Sequence, residues 1–133
     1  MKETILLYNI MKPEVLDVYR SICEGEDIAL LLVPQEEYAV PIGFLAYGTK
    51  EQKAEYITDG SSDSADTRTF SEPMMVFGGF TGPRLTEMLK IFRETGVPGV
   101  SLKAMMTEHN AVWDSVTLFE QLAEERDQFA RMK

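Results

Sequence analysis

The sequence predicts an α/β fold in which two β-α-β units form a four-stranded, mainly parallel sheet. The expected strand order is 2-1-3-4, with helices on both faces and a further C-terminal helix. Two observations carry this prediction: short apolar segments alternate with helix-patterned segments, and a shift of 70 residues superposes Pro13 on Pro83. A chain of 133 residues that is 44% hydrophobic fits one α/β domain spanning residues 1–133.

The first unit is predicted over residues 3–34. Residues 3–10 are apolar and β-favouring, which is typical of a buried strand. Pro13 suits the first turn of a helix, and Val15, Tyr19 and Ile22 follow at helical spacing. Gly25 is expected to end this helix, and residues 27–34 form the second strand.

The second unit repeats this pattern over residues 73–107. Residues 73–80 are predicted as a strand, Pro83 opens a helix that Gly96 ends, and residues 99–107 form the fourth strand. The apolar first and third strands are expected in the centre, and right-handed crossovers would then place the two helices on opposite faces. The alternative is a ferredoxin-like βαββαβ sheet, with both helices on one face.

The remaining segments flank the second unit. Residues 37–46 are apolar and favour a turn or short helix, whereas residues 48–72 are polar and predict a mobile loop, either a lid or a passive insertion. The last helix is expected to begin near Asn110, with Thr107 or Asn110 as its cap. Val112 and Val116 would lie on its apolar face.

Composition excludes several classes of protein. One cysteine, Cys23, and one histidine, His109, exclude internal disulfides and the usual zinc and iron–sulfur sites, so no metal or cofactor is expected. A net charge of −9 argues against nucleic acid and anionic membranes as partners. The longest apolar run, residues 28–33, is too short to span a membrane. We therefore expect a cytoplasmic protein.

A ligand site is expected beyond the carboxyl ends of the first and third strands, where residues 9–13 and 78–83 would form one crevice. Residues 48–72 and 107–133 each hold six acids against three bases, so a crevice near Lys12, Arg84 and Lys103 can still be basic. Lys103 is unusual in an apolar strand and should extend its charged end to solvent, pair with an acid or face a cleft. The candidate ligand-binding residues are Asn9, Lys12, Gly78, Gly79, Thr81, Lys103, Thr107, His109 and Asn110.

Several short motifs resemble one bacterial family. Its closing signature is similar to the pattern Leu102-Lys103-Ala104, Thr107, Asn110, Trp113, Leu118 and Leu122. Residues 72–80 resemble its central strand and turn, and Tyr38, Pro41, Ile42, Gly43 and Leu45 resemble an upstream segment. The family is the bacterial domain of unknown function 3783. The resemblance implies a bacterial cytoplasmic protein, supplies no activity, and makes residues 58–69 look like an insertion.

Three functions follow as hypotheses. The first is a non-catalytic or regulatory module that binds a small molecule or a protein at the crevice, because no catalytic set accompanies the clustered loop residues. The second is a small enzyme that uses His109 and Lys103, which requires both side chains in one pocket. The third is a homo-oligomeric interaction domain, for instance a homodimer formed through an exposed outer strand.

Overall fold

A computed structural model describes residues 2–57 and 69–131 of the chain. The chain forms two compact units. The first comprises Met1–Leu32 and Glu72–Met105, and the second comprises Val33–Ser71 and Met106–Lys133. The prediction of a single domain stays a prediction, and each unit is described by itself.

The first unit contains the sheet. Its elements are β1 (Thr4–Tyr8), α1 (Pro13–Gly25), β2 (Ala29–Leu32), β3 (Met74–Gly78), α4 (Gly82–Thr95) and β4 (Leu102–Met105). The strand order is β2-β1-β3-β4, with parallel pairing of β1 to β2 and of β3 to β4. The predicted class and order are therefore confirmed. The ferredoxin-like alternative is wrong, because β1 lies between β2 and β3 and no hairpin joins them.

The two central strands run antiparallel, with Leu6 paired to Val76. This direction changes the placement of the helices. Residues of α1 and α4 share one core cluster with the same face of the sheet, so the expectation that these two helices take opposite faces is wrong. The helix of a right-handed crossover moves to the other face of the sheet when either the strand direction or the side of the next strand is reversed. In the second β-α-β unit both are reversed relative to the first, so α4 stays on the same face as α1. The cluster includes Ile5, Leu7, Tyr19, Cys23, Met75, Phe77, Met88 and Phe92.

The helix boundaries follow from local chemistry. Proline stands in the first turn of both α1 and α4, where its missing N–H costs nothing. The Thr81 hydroxyl accepts the Arg84 N–H at 3.2 Å and caps α4. Gly96 ends α4 with φ 82°, a left-handed conformation that favours glycine. These signals are all visible in the sequence.

Strand β2 lies at an edge of the sheet, as the predicted order 2-1-3-4 requires. Its Leu31 and Leu32 are 37% and 42% exposed, although the apolar run around them resembles a buried strand. At the centre of the sheet, by contrast, all five residues of β1 and of β3 are buried. Apolar composition alone does not separate an edge strand from a central one.

The second unit joins a helical segment to the C-terminal helix. It contains a 3-10 turn (Gln35–Glu37), α2 (Ile42–Tyr47), α3 (Lys50–Ile57) and α5 (Ser115–Arg131). The Ile42 N–H donates to the Trp113 carbonyl, and the Ser115 N–H donates to the Tyr38 carbonyl. Phe70 stacks between Tyr38 and Phe119, at ring-centroid distances of 4.7 and 4.4 Å. Backbone bonds and an aromatic stack thus tie the parts of this unit together.

Two predictions for this unit need correction. Part of the predicted loop 48–72 is the helix α3, which Thr49 and Gln52 begin with reciprocal bonds in a capping box. Residues 58–68 lie outside the described part, so the choice between lid and insertion stays open. Helix α5 begins at Ser115 rather than near Asn110, and its cap is Asp114, whose Oδ1 accepts the Thr117 N–H at 2.8 Å.

Across residues 2–57 and 69–131, none of the helices combines the length and apolar character that a membrane span requires.

Candidate functional site

The antiparallel pairing of β1 and β3 separates the two loops that were expected to form one crevice. Tyr8 pairs with Met74 and Thr4 pairs with Gly78. Asn9 therefore follows one end of the sheet, while Gly78 stands at the other. The prediction of a joint crevice is wrong, because carboxyl ends share a sheet edge only when the strands are parallel.

The residues at the Asn9 end have clear structural roles. Asn9 has φ 62°, which asparagine tolerates better than most residues, and its Nδ2 donates to the Glu72 carbonyl at 3.1 Å. The exposed Lys12 is the N-cap of α1, and its carbonyl accepts the N–H groups of Val15 and Leu16. Both residues shape the turn between β1 and α1.

The Gly78 end is a tight turn into α4. Gly78 is buried and belongs to β3, whereas Gly79 has φ 80°, a conformation in which glycine is unstrained. Thr81 is engaged as the cap of α4. The glycines are thus accounted for by the turn itself.

Arg84 does not offer a free charge to a ligand. Its Nε donates to both carboxylate oxygens of Glu3, at 3.0 and 3.1 Å. Its Nη1 donates to Glu26 at 3.0 Å and to Glu87 at 2.9 Å, and its Nη2 donates to the Glu26 carbonyl at 3.2 Å. The hydrogen bonds that Arg84 donates to Glu87, Glu26 and Glu3 raise its pKa above the ordinary value. This cation holds the start of α4 against the rest of the first unit.

Lys103 borders a cavity of about 360 Å³ within the first unit. Apolar side chains of the core form much of its wall, among them Tyr19, Met75, Phe92 and Val100. A second cation, Arg93 at the end of α4, also borders it. The volume lies at the lower end of the range found for small-molecule sites, about 300–1,000 Å³. The prediction that Lys103 faces a cleft therefore agrees with the geometry.

The loop between α4 and β4 lines the cavity and is fixed by two side chains. The Tyr19 hydroxyl donates to the Pro98 carbonyl at 2.8 Å, and the Lys103 Nζ donates to the Val100 carbonyl. Burial, and secondarily the nearby Cys23, raises the pKa of Tyr19, so its hydroxyl stays a donor at neutral pH. The cavity wall is thus held in place without a ligand.

The charged side chains at the cavity are all cations. Neither Arg93 nor Lys103 is in an ion pair within residues 2–57 and 69–131, and the residues that line the cavity include no carboxylate. The backbone N–H groups of Val97, Gly99 and Val100 have no acceptor in the same part of the chain. Val100 is only 2% exposed, which makes its N–H an orphaned buried donor.

Sequence reasoning missed Arg93 and this loop. A signal was present in the lengths of the connections, since six residues (96–101) join α4 to β4 whereas three (26–28) join α1 to β2. A longer connection in otherwise similar units is where a site can form.

The other candidate residues belong to the second unit. Thr107 and Asn110 bond each other reciprocally, at 2.8 and 3.1 Å, and so close a turn. His109 is exposed and its ring meets Trp113 edge-on at 5.2 Å. Within the described residues no carboxylate orients this imidazole, and no group of His, Cys, Asp or Glu is placed to hold a metal.

Cys23 is a core residue rather than a nucleophile. It is 1% exposed, as its predicted role of small core filler requires. Burial raises the pKa of its thiol to about 11, so the reactive thiolate is scarce near neutral pH.

Comparison with known proteins gives one match. Residues 73–129 match the family model described as a domain of unknown function (DUF3783). This segment is a DUF3783 domain. The resemblance drawn from the sequence is confirmed there, while the upstream motif of residues 38–45 lies outside the matched segment. No curated protein and no solved structure matches the chain. DUF3783 is a domain of unknown function, so the match assigns no activity to this segment.

Proposed function

We propose that the protein is a non-catalytic module that binds a small, largely apolar molecule in the cavity of its first unit. The observation that carries this proposal is the cavity itself, which has a volume of about 360 Å³ and is lined by residues of α1, α4, β3, β4 and the loop 96–100. Buried aromatic and aliphatic side chains provide its walls, which is the usual composition of a small-molecule site.

The surroundings of the cavity favour binding over chemistry. A nucleophile or general base needs an activating partner within hydrogen-bond reach. The titratable groups at the cavity are Tyr19, Arg93 and Lys103, of which Tyr19 and Lys103 donate to backbone carbonyls. None of these groups is paired with a carboxylate or an imidazole in the described part of the chain. The alternative of an enzyme that uses His109 has no supporting observation here.

Ligand-observed and protein-observed NMR test the proposal. A library of small aliphatic and aromatic molecules, neutral and charged, is titrated into ¹⁵N-labelled protein. We expect some members to shift amide signals of the loop 96–100 saturably. The Val97→Phe variant, which places an aromatic ring at the cavity, should abolish those shifts. Val112→Phe is the matched control, since Val112 is 73% exposed in the other unit.

Two outcomes would refute the binding site. In one, no member of the library shifts the cavity amides. In the other, Val97→Phe binds the same molecules as strongly as the parent protein. A cytoplasmic location remains part of the proposal, supported by the single cysteine of the sequence.

Self-association through β2 is a second candidate, favoured by one observation. This edge strand is four residues long, carries no charge, and exposes Leu31 and Leu32. Proteins usually protect such an edge with lysine or proline. Two copies of β2 paired about a two-fold axis would cover it. Light scattering over a wide concentration range tests this: a dimer that Leu32→Lys dissociates supports it, and a monomer throughout refutes it.

A further inference from the structure

The polar rim of the cavity indicates the chemical class of its ligand. Among the residues that border the cavity, Arg93 and Lys103 carry positive charge and none carries a carboxylate. The whole chain has a net charge of −9, so a rim with only cations departs from its average surface. A ligand that buries its apolar body here would therefore place its polar end beside two positive charges.

Backbone N–H groups of the loop 96–100 provide hydrogen-bond donors in addition to the two cations. The Val97, Gly99 and Val100 N–H groups have no acceptor in residues 2–57 and 69–131, and Val100 is almost fully buried. A buried N–H without an acceptor is unfavourable, and an oxygen at the cavity would satisfy it. The cavity therefore offers donors of two kinds, charged side chains and backbone amides. The Pro98 and Val100 carbonyls already receive hydrogen bonds from Tyr19 and Lys103.

The partial negative charge at the C-terminus of α4 partly opposes the binding of an anion. A helix C-terminus carries partial negative charge, and α4 ends at the cavity with Gly96. Arg93 lies in the last turn of α4, where it offsets the dipole, and Lys103 reaches the same loop from β4. Two full positive charges exceed the roughly half charge of a helix end.

We infer that the ligand is an amphipathic carboxylate, with an aliphatic or aromatic body in the cavity and its anionic end at Arg93, Lys103 and the loop amides. This inference rests on the proposed binding function and adds the ligand class to it. Lys103 would exchange its bond to the Val100 carbonyl for one to the carboxylate, which is the stronger acceptor because it is charged.

Matched pairs of probes separate this inference from the proposed function. Octanoate is compared with octanol, and phenylacetate with phenylethanol, so that each pair shares its carbon skeleton. Dissociation constants come from ¹⁵N amide shifts of Gly99 and Val100. We expect each carboxylate to bind about tenfold more tightly than its alcohol, as a charge-assisted hydrogen bond would provide.

Substitutions of the two cations test whether their charges produce the preference for carboxylates. Arg93→Gln with Lys103→Gln should lower the ratio of carboxylate affinity to alcohol affinity from about tenfold to about one within each pair of probes. Lys90→Gln is the matched control, because Lys90 is another exposed cation of α4 but pairs with Glu94 and does not border the cavity. It should leave the preference intact. Raising the salt concentration should weaken the carboxylates more than the alcohols.

The outcomes are distinguishable. If alcohols and carboxylates bind equally well, or if the double variant keeps the preference, the inference is overturned while the proposed binding function stands. If neither member of a pair shifts the cavity amides, whereas other apolar molecules of the library do, the carboxylate class is again excluded. If nothing shifts them, both proposals fail together.

Discussion

Arg84 provides the sharpest test of how the first unit is held together. The perturbation is Arg84→Met, which keeps most of the aliphatic stem and removes the guanidinium. Five hydrogen bonds are lost, to both oxygens of Glu3, to the carboxylate and carbonyl of Glu26, and to Glu87. These partners stand before β1, in the connection between α1 and β2, and on α4, so the change loosens three elements at once.

The exposure of the partners sets the magnitude. The side chains of Arg84, Glu3 and Glu26 are 20%, 27% and 33% exposed, whereas that of Glu87 is 59% exposed. The Glu87 pair resembles a surface ion pair, which contributes about 0–1 kcal/mol. The two half-buried pairs lie between this value and the roughly 3–5 kcal/mol lost when a buried pair is broken. We expect Arg84→Met to lower the free energy of unfolding by about 2–3 kcal/mol, or Tm by roughly 6–12 °C.

Thermal and urea unfolding followed by circular dichroism measure this loss. Arg93→Met is the matched control, since it removes an arginine of the same helix that has no ion pair in the described residues, and should cost about 0.5 kcal/mol. Glu3→Gln and Glu26→Gln, added to Arg84→Met, should recover part of the stability because the unpaired carboxylates are removed. The reasoning is refuted if Arg84→Met shifts Tm no more than the control does, or if the triple variant is less stable than Arg84→Met.

Three further predictions concern the buried thiol of Cys23, the cap of α5 and the close packing of Gly48 against Phe44. Burial raises the pKa of Cys23 from 9.0 to about 11, so above pH 9 only the unfolded state loses its thiol proton. The free energy of unfolding should then fall by up to about 3 kcal/mol between pH 9 and 11, and Cys23→Ala should reduce that fall as followed by urea unfolding. Asp114→Ala should cost about 1 kcal/mol by removing the cap of α5, and Asp114→Asn, which keeps an acceptor, should cost less in the same measurement. A Cβ at Gly48 would lie 2.7 Å from the Phe44 carbonyl oxygen, whereas one at Gly25 has nothing within 4 Å. Gly48→Ala should therefore lose about 1–3 kcal/mol while Gly25→Ala loses nothing, and equal Tm values for the two variants would contradict this close approach.

The elements that the sequence predicts well are those with local signals. Proline in the first turn and glycine after the last one define α4, and the predicted helix after Pro13 ends at Gly25 as observed. The polar segment after Gly48 lacks apolar periodicity, so its helix α3 was missed. Its evidence was a capping box between Thr49 and Gln52, which a search for hydrophobic stripes does not use.

No local sequence signal indicates the relative direction of the two β-α-β units. A buried strand such as β3 has the same apolar composition whether it runs parallel or antiparallel to β1. The crossover rule fixes the hand of each β-α-β unit but says nothing about how two units meet. A single assumption of parallel pairing therefore misplaced α4, Gly78 and the expected crevice together, although the strand order was right.

Arg84 shows why charges are hard to assign from sequence. Its partners Glu3 and Glu26 are 81 and 58 residues away in the chain, so their pairing depends on the tertiary fold. Lys103 was the exception, because a lysine inside an apolar strand conflicts with its surroundings at the level of the sequence itself.

Differences between equivalent residues in the two β-α-β units explain why the cavity lies beside α4 and not beside α1. Leu6 pairs with Val76, and these residues are also 70 positions apart, so a local two-fold axis perpendicular to the sheet relates β1-α1-β2 to β3-α4-β4. Ala29 pairs with Thr4 as Leu102 pairs with Met74, which makes Leu30 the counterpart of Lys103. The counterpart of Arg93, 70 residues earlier, is the buried Cys23.

This symmetry would place a second cavity beside α1, but the residues of the β1-α1-β2 half fill that space. The connection of residues 26–28 is three residues shorter than that of 96–101, and its Ile28 is packed in the core. A thiol and a leucine stand where the other half has two cations. A loop three residues longer, with positive charges on both sides, distinguishes the half that we propose to bind an anion from the half that contains no such cavity lining. Deleting residues 98–100 should therefore close the cavity and abolish carboxylate binding while the strands remain paired, which amide exchange and the octanoate titration would show.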